Sequence, residues 1–265
     1  MNPLFDYSIF TIDNPGFEIL YEDGPVFVIN KPAGVQVQAP IGIDNLVSRV
    51  KHFFELRDGK GPNQYLGVPH RLDRPTSGAL MFARHVRAAQ RLSHQFEGRM
   101  INKKYWAIVE GEIAESSGQW EDFIRKIPDA PVGEVCSPDK KDARWALLNY
   151  KNMGSVEIQT PQGVVKGTKL EIELETGRFH QIRIQASSRG YAVWGDALYG
   201  SSVPFGPEQE DPRARAIALH ARYLSFNHPM RDERIEIFAP LPAYWQGDDS
   251  NEKQKKNNQN KNVRR

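Results

Sequence analysis

The 265-residue sequence predicts an α+β protein built on a largely antiparallel sheet flanked by a few helices. Three observations lead there. Short apolar runs recur along the chain and are separated by turn signals such as Asp-Gly-Pro and Lys-Pro-Ala-Gly. Only two stretches place apolar residues at helical spacing. Strands outnumber helices and hairpin turns dominate, which argues against a nucleotide-binding βαβ fold.

The first sixteen residues have no clear period and are expected to form an arm. Residues 17–37, FEILYEDGPVFVINKPAGVQV, read as three strands joined by two turns. Residues 44–57 put Leu46, Val47, Val50, Phe53 and Phe54 on one helical face, with Asp44 as the expected cap. ALMFA (79–83) is a short buried strand. Residues 85–97 form a second helix through Val86, Ala89, Leu92 and Phe96, and residues 103–111 return as a strand. Residues 112–167 are richer in Gly, Pro and charge, with short strands expected at 145–150 and 156–160. In 169–177 Leu170, Ile172 and Leu174 alternate, and strands at 218–226 and 234–240 close a domain spanning 17–246. Residues 247–265 hold one aliphatic residue, Val263, and no aromatic. Such a tail cannot bury enough surface to offset its ordering entropy, so it is expected to be disordered.

Charge is local. The formal net charge of +2 comes from 35 basic and 33 acidic side chains. Removing the tail's six basic and three acidic residues leaves 29 and 30, so the body is close to neutral and its overall charge says nothing about nucleic acid. Residues 70–104, however, carry eight basic side chains (Arg71, Arg74, Arg84, Arg87, Arg91, Arg99, Lys103 and Lys104) against Asp73 and Glu97. This strip is either a phosphate-binding patch or a solvated helix face. A single cysteine, Cys136, cannot form an internal disulfide. With no basic-then-apolar leader and no apolar run of membrane-spanning length, the chain is expected to be a cytoplasmic monomer.

No paired cysteines or His-x-x-x-His spacing suggest a metal, and Gly-x-Ser-x-Gly is absent. Two polar loops are left between apolar strands. One is His70–Gly78, HRLDRPTSG. The other is TGRFHQIR (176–183), with Arg178, His180, Gln181 and Arg183. A carboxylate among arginines is held in its charged form, and an oriented carboxylate can act as a nucleophile or stabilise a cation developing at a sugar carbon. The plainer alternative is an Asp–Arg pair that pins a turn. Tyr105 reads equally as a core aromatic, and Arg183 as a surface counter-charge.

Four blocks occur together in order and spacing: HRLDRPTSGALMFA, KKYWAIVEG, LETGRFHQIRIQ followed by GDALYG, and LHARYLSFNHP. From about Ile19 to Pro242 the chain resembles the RluA-type RNA pseudouridine synthases. The resemblance implies the pseudouridine synthase fold with a central RNA-binding cleft, and isomerisation of uridine in RNA without cofactor or metal. It makes Asp73 the catalytic aspartate, Tyr105 the tyrosine that stacks on the target base and assists proton removal at C5, and Arg183 the partner of Asp73. Arg71 matches a position that can fill the space of the flipped nucleotide. Arg74, Arg84, Lys103, Lys104, Arg178, His180 and Gln181 are the further RNA-binding candidates. RPTSG and HQFEGRMINKKYWAIVEG lean toward the compact tRNA-modifying branch, with ribosomal RNA the other candidate. One departure is Gln185, where many relatives carry histidine. The competing readings are a catalytically inactive RNA-binding protein or chaperone on the same fold, and a glycosidase, which would need a second carboxylate as general acid.

Overall fold

The computed structural model describes residues 5–59, 61, 63–160 and 163–245. In chain order these form β1 (Glu18–Asp23), β2 (Val26–Lys31), α1 (Leu46–Asp58), β3 (Ser77–Ala83), α2 (Val86–Glu97), β4 (Asn102–Glu110) and β5 (Ser117–Lys126). There follow β6 (Gly133–Cys136), β7 (Arg144–Thr160), β8 (Gly163–Leu174), α3 (Gln181–Ser187), β9 (Leu219–Asn227) and β10 (Arg234–Phe238). One sheet takes all the strands in the order β1-β2-β3-β9-β4-β8-β7-β5-β6, with β10 also on β9. Its pairings are antiparallel except a short parallel contact between β3 and β9, Ser77 with His220 and Gly78 with Ala221. The α+β class with a mostly antiparallel sheet is therefore observed.

β2 and β3 lie at the centre of one half of the sheet, and both their faces are covered. Phe27, Ile29, Leu80 and Phe82 pack toward Phe53 and Phe54 of α1, whereas Val26, Val28, Ala79, Met81 and Ala83 pack with Ala88, Leu92 and Phe226. A strand buried on both faces reads as an unbroken apolar run, as ALMFA does. Gly78 (φ +114°) sits where β3 meets β9. A Cβ there would lie 2.4 Å from the Ala221 carbonyl oxygen, so the two strands could not approach.

Several expectations are corrected. No third strand follows β2. Instead the carbonyls of Gln36 and Val37 accept the amides of Leu46 and Val47 at 2.9 and 3.1 Å, meeting donors that the first turn of a helix leaves without partners. Asn45, not Asp44, caps α1 by accepting from the Ser48 amide, and Asp44 instead pairs with Arg49. Val86 opens α2 and is half exposed. Gln95 takes a buried position because its side chain both donates to Asn227 O (2.7 Å) and accepts from Asn227 N (2.8 Å). β7 is one long strand, not two short ones, because a bulge between Asn152 and Gly154 (φ +118°) absorbs the irregularity. β5 and β6 were unexpected. Asp122 lies at an inward position of β5, bonded to Gln185 and Arg189, and this breaks the apolar alternation.

The opening residues pack onto the α1 side. The Phe5 amide donates to Gly42 O at 3.2 Å, and the Arg49 guanidinium lies 4.3 Å from the centre of the Phe10 ring. The expected disordered tail lies outside the described residues.

Candidate active site

A cleft of about 1110 Å³ opens where β3, β9 and β4 meet. One wall is the loop Pro69–Thr76. The chain fastens this loop from behind. Lys31, 1% exposed at the end of β2, donates to the carbonyls of Pro32 (2.8 Å), Arg74 (3.0 Å) and Thr76 (2.8 Å). Burial lowers its pKa to about 7 and the Asp73 charge opposes that shift. Three carbonyl acceptors need all three N–H donors of an ammonium, so this geometry favours the charged form. Gly34 N donates to Arg74 O and Arg74 Nε donates to Gly34 O, both at 2.8 Å. His70 Nε2 accepts from the Met81 amide at 3.0 Å, and burial, with Lys103 nearby, pushes this histidine down to about 3. Asp73 is thus carried on a rigid turn, with its side chain 29% exposed to the cleft.

The opposite wall is α3 and the loop before it. Arg183, 3% exposed, aims its guanidinium two ways. Nε and Nη2 donate to the two oxygens of Asp196 at 2.6 and 2.8 Å, while Nη1 reaches Asp73 Oδ2 at 3.4 Å. Burial works against the arginine's charge, and the hydrogen bonds and charge of Asp196 more than offset it, so its pKa is raised. Arg183 therefore does face Asp73, yet its tight partner is Asp196. His180 stands beside it with Nε2 3.8 Å from Asp73 Oδ1 and Nδ1 2.8 Å from Tyr199 Oη. Burial lowers its pKa to about 4 against the pull of Asp73.

Strand alternation sorts the remaining candidates. Lys103 and Tyr105 point into the cleft. Lys104 points the other way and pairs with Glu171 at 3.0 Å, so it is not placed to meet a ligand in the cleft. Tyr105 is 8% exposed, and its pKa is raised first by burial and then by the charge of Asp73, which keeps it a neutral phenol. Arg84 also lies off the cleft. It pairs with Glu22 and Asp58 over the Phe54 ring, a site the sequence could not link to residues so far along the chain. Arg71 and Arg178 line the cleft and are exposed. Arg74 lines it too but is committed to Gly34 and, at 3.4 Å, to Asp211. Gln181 is 3% exposed and spent on structure: Oε1 accepts from Thr176 and the Arg178 amide, and Nε2 donates to Leu147 O and Gln185. Gln185 donates to Trp120 O and Asp122, so the departure from histidine leaves no bond unmade there.

Sequence reasoning missed Lys31, Asp196 and Tyr199. Asp196 and Tyr199 stand in the block GDALYG, which carried the signal without revealing the partner. Among the described residues no group of three or more His, Cys, Asp or Glu is arranged to hold a metal. No helix among them is long and apolar enough to cross a membrane.

The model of the family described as RNA pseudouridylate synthase matches residues 25–188. The chain is 34% identical over 233 residues to tRNA pseudouridine synthase C of Haemophilus ducreyi, covering 86% of this chain and 93% of that protein. It is 31% identical to the ribosomal large subunit pseudouridine synthase C of Buchnera aphidicola, covering 86% and 68%. The solved structure of human RNA pseudouridylate synthase domain containing 1 superposes with a TM-score of 0.66 at 24% identity, over 88% of this chain and 85% of that one, and shares the fold.

Proposed function

Because the chain belongs to the RNA pseudouridylate synthase family and so isomerises uridine in RNA, we propose that Asp73 is the carboxylate that acts on the target nucleotide. The observation that carries this reading is its setting. Asp73 is displayed in the cleft on a turn fixed by Lys31, with Arg183 and His180 facing its two oxygens. A uridine in a stem or loop must leave its stack to reach it. Asp73 then stabilises or captures the sugar's anomeric carbon as the N1–C1′ bond breaks, much as a glycosidase carboxylate does. The uracil turns, C5 bonds to C1′, C5 loses its proton and N1 gains one. Nothing is consumed, so no cofactor is required. Tyr105 offers the flat, buried surface on which the uracil can stack. As a neutral phenol it suits stacking better than initial proton abstraction.

Arg71, Arg99, Lys103 and Arg178 are the cations we assign to phosphates, since all four line the cleft. The substrate we propose is tRNA. The reading is supported by the 34% identity to tRNA pseudouridine synthase C of Haemophilus ducreyi, against 31% to the ribosomal large subunit pseudouridine synthase C of Buchnera aphidicola. Residues 17–246 are assigned as the catalytic domain, and the basic residues 247–265 as a phosphate-contacting tail. Mapping pseudouridine in cellular tRNA and rRNA, with the chain present and deleted, tests both target and activity. Loss of a site in tRNA is the expected outcome; loss confined to rRNA overturns the tRNA assignment.

A further inference from the structure

We propose that His180 is a positioning residue that presents a neutral Nε2–H to Asp73, and that Tyr199 fixes it in that tautomer. The inference rests on reading Asp73 as the reacting carboxylate.

The tautomer follows from counting protons. Tyr199 Oη accepts the Gly133 amide at 2.9 Å. Its own single proton needs an acceptor, and among the described residues the partner in reach is His180 Nδ1 at 2.8 Å. A phenol that already accepts a hydrogen bond and gives its proton to Nδ1 leaves that nitrogen with a lone pair. The imidazole proton must then sit on Nε2. Nε2 is the atom that faces Asp73 Oδ1, at 3.8 Å. That distance is beyond a hydrogen bond in the free protein, and catalytic contacts of this kind tighten once substrate is bound.

The rest of the site supports a positioning role. Tyr199 cannot drift: its carbonyl accepts from Ser187 Oγ at 2.7 Å, and the Arg183 guanidinium lies 4.8 Å from its ring centre. His180 itself occupies the left-handed region (φ 48°, ψ 28°), a conformation sparsely used by residues other than glycine and often found at functional sites. The Phe179 ring stacks on its imidazole at 3.7 Å. The charges near the imidazole are Asp73, Arg183, Asp196 and Lys126, and burial outweighs them, so the ring is neutral at the pH of the cell. Arg183 is anchored to Asp196 and holds only Oδ2 of Asp73. A second donor at Oδ1 fixes the plane of the carboxylate, which a single contact leaves free to turn.

Two measurements on the full chain decide the matter. In protein labelled with ¹⁵N-histidine, two-bond ¹H–¹⁵N correlations report the tautomer without reference to activity. Wild type should show His180 as the Nε2–H form, and Tyr199→Phe should shift it toward Nδ1–H. A wild-type Nδ1–H form overturns the inference. Single-turnover pseudouridine formation then separates donor from scaffold. His180→Gln keeps an N–H donor near the Nε2 position, whereas His180→Asn suits the left-handed backbone but cannot reach Asp73. Loss of a preorganised donor typically costs roughly 10²-fold, so His180→Asn should fall by about that much and His180→Gln by clearly less. If Asn equals or exceeds Gln, His180 serves the backbone and the inference fails. Should either variant unfold on heating well below wild type, the tautomer result stands as the deciding one. An active Asp73→Asn variant would instead remove the reading of Asp73 and leave the tautomer untouched.

Discussion

Arg183 touches two carboxylates that live in opposite surroundings. Asp196 is 1% exposed and receives two guanidinium nitrogens at 2.6 and 2.8 Å. Asp73 is 29% exposed and receives one nitrogen at 3.4 Å. The first pair is close to bidentate ideal geometry and locks the arginine. The second is loose, and its carboxylate stays available to a substrate. One arginine therefore serves as a structural anchor on one side and as an electrostatic support on the other. If Asp73 is the reacting carboxylate, as proposed, the looser of the two contacts is the one at the chemistry.

Substituting each carboxylate should separate these roles. Asp73→Asn should lower the single-turnover rate by roughly 10⁴-fold or more, the scale seen when a reacting group is removed, while the thermal unfolding midpoint and RNA affinity stay near wild type. A rate within tenfold of wild type would show that this carboxylate is not the reacting one. Asp196→Asn should do something different. It strands a buried arginine, and breaking a buried pair costs about 3–5 kcal/mol, so chemical denaturation should show a large loss of stability alongside lost activity. Combining Arg183→Met with Asp196→Leu should recover much of that stability and none of the rate. If the double variant were active, the arginine would matter only for packing.

Acid should pull the two walls apart. His70 and His220 lie under the Asp73 turn: His70 accepts from Met81, and His220 Nδ1 meets Ser77 Oγ at 2.8 Å. Burial depresses their pKa values from 6.5 to about 3 and about 4. The folded state then binds fewer protons than the unfolded one as pH falls from 6.5 toward 4. Stability from these groups is complete above pH 6.5 and is lost on acidification, by up to roughly 1.4 kcal/mol per histidine per pH unit. Amide exchange should show residues 77–81, with both His70 and His220 beneath them, losing protection before residues 183–187, beside which His180 alone of the three is depressed in the same way. Simultaneous loss would mean the walls open as one unit.

The smallest expected effect concerns adjacent residues of one strand. Lys103→Ala should reduce the salt slope of RNA binding by about one, and Lys104→Ala by close to zero, because β4 points them to opposite faces. Equal effects would move the RNA path out of the cleft.

What was legible in the sequence follows the same physics. Asp73, Tyr105 and Arg183 lie in distinctive blocks, and the fold brings all three to one cleft. The two helices with apolar faces were visible. α3 was not, because its seven residues bury Gln181, Arg183 and Gln185 along with the aliphatics and so show no amphipathic period. Lys31 was hidden for a related reason: a lysine before proline reads as a surface turn, and burial with three carbonyls is a property of the folded state alone. Arg84 and Lys104 were assigned to RNA from a count of local charge, which carries no information on which side of the sheet a residue faces or on partners such as Glu22 and Glu171.

The parallel contact of β3 with β9 joins Ser77 to His220 across 143 positions. The turn that carries Asp73 must wait for a strand made 143 residues later before its far side is braced. Contacts so distant in the chain close late. A chain that stops short of Leu219 would carry Asp73, Tyr105 and Arg183 and still lack the strand that braces the turn bearing Asp73.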